Sequence, residues 1–102
     1  VRVGICDQFG NLQASSVEPI KTNNPRVDFY EQSSDEIWSK LCLASKATLA
    51  KLKHVSPSSI KGIGFDATCS LVVLDKDNEP LSVSESIEAM GPDKEDTENK
   101  HW

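Results

Sequence analysis

The densest group of side chains able to do chemistry is Asp66-Ala67-Thr68-Cys69-Ser70, which sets a carboxylate, two hydroxyls and a thiol within one short stretch. The group stands between two apolar runs, Lys61-Gly62-Ile63-Gly64-Phe65 and Leu71-Val72-Val73-Leu74, so the pattern puts it in the break between two strands. Polar groups at strand ends often contact ligands, because sheets carry their binding loops there. A hydroxyl-rich turn whose Asp66 accepts backbone N–H groups would use the same residues for structure alone. The residues themselves leave both readings open. Gly62-Ile63-Gly64-Phe65-Asp66-Ala67 also fits the G-x-G-x-x-A form of a dinucleotide fingerprint, which has meaning only after a strand and before a helix. Here a Ser-Pro turn leads in and a β-branched strand leads out, so the two glycines are expected inside a strand that another backbone or a helix approaches closely.

The other reactive side chains are dispersed. Cys6, Cys42 and Cys69 form no close pair, which suits neither a zinc knuckle nor a redox dithiol and reads as small apolar filler in a reducing compartment. His54 and His101 lie far from any cysteine partner, so neither a metal site nor a Cys-His nucleophile is indicated. Phe29-Tyr30 and Trp38 could stack on a sugar, yet Trp38 falls on a helical stripe and is expected in the core.

The elements that must position these groups follow from periodicity. Val1, Val3 and Ile5 alternate with Arg2, Gly4 and Cys6, the period of a strand with one apolar face. Asp7-Gln8-Phe9-Gly10-Asn11 supplies a hairpin turn, and Leu12 to Ile20 continues as a second, weaker strand. Thr22-Asn23-Asn24-Pro25 punctuates a loop. Ser33 followed by Glu36 is a capping box, with Asp35 and Glu36 placed where the helix dipole favours negative charge. Trp38, Leu41, Ser45, Leu49 and Leu52, widened by Ile37 and Cys42, then make the stripe of an amphipathic helix of about five turns. Lys51, Lys53 and His54 favour its C-terminal end, Pro57 stops it, and a short turn is expected from Ser56 to Ser59. With strands at 61–65 and 71–74 and a turn at Asp75-Lys76-Asp77-Asn78, the order is β-β-α-β-β. A strand, a long helix and a return strand normally make a right-handed crossover, so an α/β fold with a mixed sheet is expected.

Length and charge limit the functions open to such a fold. A chain of 102 residues supports one small domain with a single modest core. Leu, Ile, Val and Phe make up 25 of the 102 residues, above the level of about 20% below which a charged chain reads as disordered. The net charge of −5 provides no field to gather phosphate backbones, so nucleic acid and anionic membrane are excluded as expected partners. The excess acidity sits in residues 85–102, net −4, which read as an acidic, disordered tail after a folded part at 1–84. No run approaches the ~20 apolar residues of a membrane span, no leader is visible, and a cytoplasmic location is expected. The chain opens on Val1 directly in strand pattern, which reads as a cut rather than a start.

Three stretches together resemble a known family. Val1-Arg2-Val3-Gly4-Ile5-Cys6-Asp7, then Tyr30-Glu31-Gln32-Ser33-Ser34-Asp35-Glu36-Ile37-Trp38, then Lys61 to Asp75 through Gly64-Phe65-Asp66-Ala67-Thr68-Cys69-Ser70 are similar, in order and spacing, to the FGGY carbohydrate kinases and most to their ribulokinase-like branch. The resemblance covers residues 1–84, and the Gly-Phe-Asp-Ala-Thr-Cys-Ser stretch is its specific part. It implies a partial ribonuclease H-like, actin-like ATPase N-terminal lobe, whose complete form closes with a second lobe on ATP, magnesium and a sugar. It also implies phosphorylation of a pentulose, D-ribulose, to its 5-phosphate. By position the family's sugar contacts fall on Asp66, Thr68, Cys69 and Ser70, and polyol hydroxyls suit such partners. Glu31 and Gln32 match a recurring pair before the helix and are given a structural role.

The departures from the family pattern are equally definite. The glycine-rich phosphate loop, the Trp-x-Asp-x-Arg sugar segment, the catalytic Asp and the adenosine loops have no counterpart in this chain, and with them go the residues that would bind ATP and magnesium. Phosphoryl transfer needs a positioned base and a metal-phosphate clamp, so the chain alone is expected to be inactive. The alternative, from another class, is a truncated, non-catalytic binding or regulatory module. An exposed sheet edge at Val1 to Cys6 adds the expectation of self-association.

Overall fold

The computed structural model describes residues 1–24, 26–68 and 71–82. It is a small mixed α/β structure with strands β1 (Arg2–Cys6) and β2 (Leu12–Val17), helix α1 (Ser34–Ala50), a 3-10 turn at Pro57–Ser59, and strands β3 (Val73–Leu74) and β4 (Pro80–Leu81). Two compact units divide it. The first takes Val1–Ile20 and Ile37–Thr68, and the second takes Lys21–Glu36 and the described residues from 71 to 82.

In the first unit β1 and β2 pair antiparallel, Arg2 opposite Val17 and Ile5 opposite Ala14. Exposure alternates along β1 as the sequence pattern requires, with Val3 and Ile5 half-buried and Arg2, Gly4 and Cys6 exposed. The register shifts between Ile5 and Cys6 because Gln13 is an extra residue on β2. Its side-chain Nε2 donates to the Asn11 carbonyl at 3.1 Å, tying the bulge into the turn.

Helix α1 starts where the capping box predicts. The Glu36 N–H donates to Ser33 Oγ at 3.2 Å. The reciprocal half of the box is redirected, since Glu36 Oε2 accepts from the Lys21 N–H at 3.2 Å and so holds the entering loop. The buried stripe differs from the expected one: Ala44 and Thr48 are fully buried and Leu52 nearly so, while Trp38 is 65% exposed. Small residues at four-residue spacing form the buried line, and Trp38 lies at its edge near the helix start. Thr48 tolerates full burial because its hydroxyl donates to the Ala44 carbonyl at 2.7 Å, as Ser45 does to Leu41. Past Ala50, Lys51 Nζ donates to the Ser15 carbonyl at 2.5 Å and links this end of the chain to β2. The lysines and His54 thus follow the helix rather than occupy its last turn. The turn expected at 56–59 is present as the 3-10 segment, closed by Ser59 N–H to the Ser56 carbonyl at 2.9 Å.

The strand expected at 61–65 is not formed. Residues 61–68 are all exposed and outside any regular element, and a Cβ at Gly62 or Gly64 would meet nothing within 4 Å. The close approach expected for these glycines is therefore absent. The second expected strand, 71–74, shrinks to Val73–Leu74, which pairs with β4 and leaves Leu71 and Val72 exposed. The mixed sheet with a parallel crossover gives way to two separate two-stranded antiparallel sheets among the described residues. The physical reason is local. Asp75 closes a tight turn that brings 73–74 against 80–81, whereas a crossover strand must find a distant edge at a larger loop-closure cost.

The second unit also holds a bridge in which Asn23 and Glu31 exchange both backbone hydrogen bonds, at 2.7 and 2.9 Å. The expectation for residues 85–102 lies outside the described residues. No helix among the described residues is long and apolar enough to cross a membrane.

Candidate functional site

Asp66 and Thr68 close an exposed, extended stretch that follows the 3-10 turn in the first unit. Cys69 and Ser70, the other two candidates, lie outside the described residues. The stretch lies outside any regular element, with two glycines and with Ile63 and Phe65 79% and 80% exposed.

Asp7 and Asp75 stand just past the ends of β1 and β3, whereas Asp66 follows no strand. Asp7 Oδ1 accepts the N–H groups of Phe9 and Asn11, both at 2.9 Å, and Oδ2 accepts from Asn11 Nδ2 and Gln13 Nε2. The Asn11 N–H in particular holds this carboxyl below its ordinary value, helped by the Asn11 amide and the Phe9 N–H and opposed by desolvation. Asp75 repeats the arrangement, accepting the N–H groups of Asp77 at 2.7 Å and Glu79 at 2.9 Å. Each turn passes through a left-handed residue at the same offset, Gly10 (φ 83°) in one and Asn78 (φ 63°) in the other. These two aspartates are consumed by their own turns. Among the described residues the Asp66 carboxylate has no hydrogen-bond partner. The turn-capping reading of Asp66 involves residues 69 and 70, which lie outside the described residues.

Glu31, given a structural role in the sequence, proves to be the most unusual carboxylate. It is 7% exposed, and its Oε1 is buried without a hydrogen-bond partner, as is Nδ2 of Asn23. No pattern in the sequence distinguishes such a pair, because its burial depends on a bridge between loop residues. Among the described residues no three or more His, Cys, Asp or Glu come together to hold a metal ion.

The comparisons with known proteins agree with one another. The model of the N-terminal domain of the FGGY family of carbohydrate kinases matches residues 1–87. FGGY carbohydrate kinase domain-containing proteins are similar to the chain at 46% identity over 84 residues in Xenopus laevis and 44% over 85 residues in Homo sapiens. These matches cover 82% and 83% of the chain and 15% of each relative. A D-ribulokinase of Saccharomyces cerevisiae is 41% identical over 92 residues, 90% of the chain and 12% of that protein. No solved structure matches the chain. With a family model over most of its length, the chain belongs to the FGGY family of carbohydrate kinases.

Proposed function

We propose that residues 1–84 serve as part of the N-terminal lobe of an ATP-dependent, cytoplasmic sugar kinase that phosphorylates a pentulose, D-ribulose, to its 5-phosphate. The lobe is read as ribonuclease H-like, in the actin-like ATPase manner. Asp66, Thr68, Cys69 and Ser70 are the residues that meet the sugar. The observation that carries this reading is the uncommitted carboxylate of Asp66, set against Asp7 and Asp75. A carboxylate accepts from sugar hydroxyls, and threonine and serine hydroxyls both donate and accept, so the group can serve a polyol whose every buried OH needs a partner. The likeness to a D-ribulokinase over 90% of the chain supports the choice of pentulose.

The chemistry asked of these residues is binding and orientation. Holding one sugar hydroxyl at a fixed place converts an encounter into a positioned reaction, and a metal bound with the phosphoryl donor would neutralise the donor's charge elsewhere. The chain spans about 15% of the relatives' length, so the test uses a chimera in which residues 1–84 replace the aligned segment of the Xenopus relative. The chimera is expected to phosphorylate D-ribulose in preference to hexoses and glycerol. A preference for another sugar class, or sugar kinetics unaffected by changes at Asp66 and Thr68, would refute the assignment.

A further inference from the structure

The bridge between Asn23 and Glu31 leaves two complementary groups unused. Both backbone bonds of the pair are made, which places the two Cα atoms about 5.5 Å apart and directs both side chains to one face. On that face Asn23 Nδ2, a donor, and Glu31 Oε1, an acceptor, are each buried and without a partner. The neighbouring cross-strand pair on the same ribbon behaves differently: Gln32 Nε2 donates directly to Thr22 Oγ1 at 3.3 Å. One pair thus closes on itself, and the more deeply buried pair does not. Orphaned buried polar atoms are rare in folded proteins, and a carboxylate oxygen is among the costliest to leave so. The smallest group satisfying both atoms at once is a hydroxyl, which accepts from the amide and donates to the carboxylate at about 2.8 Å from each. A cation would meet the amide hydrogens unfavourably, and no metal-binding cluster exists among the described residues.

We infer that Asn23 and Glu31 form a binding site for a single hydroxyl, provided by a water molecule or by a polyol. The site does not depend on the kinase reading, since either source satisfies the same two atoms. It also gives Glu31 a role other than the purely structural one expected from its motif.

The test uses the intact 102-residue chain. The near-isosteric apolar changes Asn23→Leu and Glu31→Met are made singly and together, and thermal midpoints are compared. If the two atoms share a hydroxyl, each single change strands the remaining partners and lowers the midpoint, and the double change recovers part of the loss. If they are truly orphaned, each change removes an unsatisfied group and raises the midpoint. Lowered single midpoints with a non-additive double are expected, and raised or additive ones would overturn the site. Because a substituted chain could fail to fold, the unsubstituted chain is also read by NMR at the Asn23 side-chain amide, with ribitol as the polyol probe. A water cross-peak at that amide that ribitol leaves unchanged assigns the hydroxyl to water. A saturable amide shift with loss of the water cross-peak assigns it to the polyol. A freely exchanging amide with neither signal overturns the proposal.

Discussion

An aspartate just past a strand can be engaged by its own turn, and Asp7 shows how fully. Asp7 is engaged by four donors, so its carboxylate is favoured in the charged form and its affinity for protons is lowered. A group whose folded pKa lies below its ordinary value of 3.8 stabilises the fold above that value, and the contribution is lost as pH falls through the lower folded value. The β1–β2 turn is therefore expected to loosen only in strong acid, below pH 3.8, and Asp7→Asn should flatten that dependence. Following the Phe9 and Asn11 amide shifts through an acid titration checks both. Asp66 accepts from no such donor among the described residues. In the chimera, Asp66→Ala or Thr68→Val should each remove a hydroxyl partner worth about 1–3 kcal/mol, raising KM for D-ribulose by about 5- to 150-fold. KM for ATP should stay put. Steady-state kinetics with each substrate varied in turn decides it, and equal rises in both constants would point to general damage rather than sugar contact.

At the scale of elements, what the sequence makes readable is whatever closes locally. Ser33 and Glu36 announce the start of α1, and the structure places the cap at 3.2 Å. Ser33→Ala is expected to destabilise α1 by about 1 kcal/mol, measured by chemical denaturation, and Ser33→Asp to restore most of it. The two aspartate turns are equally legible, each having a left-handed residue three positions on. Gly10→Ala should cost about 1–2 kcal/mol through backbone strain alone, since a Cβ there meets nothing within 4 Å. Asn78→Gly should be tolerated or mildly favourable at its φ of 63°, and the same denaturation assay reads both. The illegible parts share a different cause. The run at 61–65 carries strand composition, but a strand needs a neighbour, and composition does not say whether one is within reach. Trp38 has the spacing of a core residue, yet the buried line is drawn by Ala44 and Thr48, whose small size permits burial without any hydrophobic signature. Asp66 was legible as a candidate, whereas Glu31 became one only through its bridge to Asn23.

For the whole molecule, the division into two units and the eight exposed residues at 61–68 set what the chain can do by itself. Backbone amides through 61–68 make no backbone hydrogen bonds among the described residues, so hydrogen exchange there should be near the rate of an unstructured peptide. The amides of Ala44 and Thr48 should be the slow ones. The stretch carries Asp66 and Thr68, two of the residues proposed to meet the sugar, and a site held on unpaired backbone lacks the rigid support that positioning requires. Loose positioning alone is costly, because the catalytic gain from orientation depends on reacting atoms held about 3–3.5 Å apart. Phosphoryl transfer additionally needs metal-assisted charge neutralisation and a base, and the chain spans only about 15% of its relatives' length. The loss of several such contributions together exceeds the 10²–10⁴-fold typical of one general base. The 102-residue chain, incubated with ATP, magnesium and D-ribulose in a coupled assay, should consequently give background turnover, while the chimera gives substrate-dependent product. Turnover by the purified chain that Asp66→Ala abolishes would show that residues 1–102 assemble a working centre unaided, and would overturn the view that this segment contributes sugar contacts to a larger one.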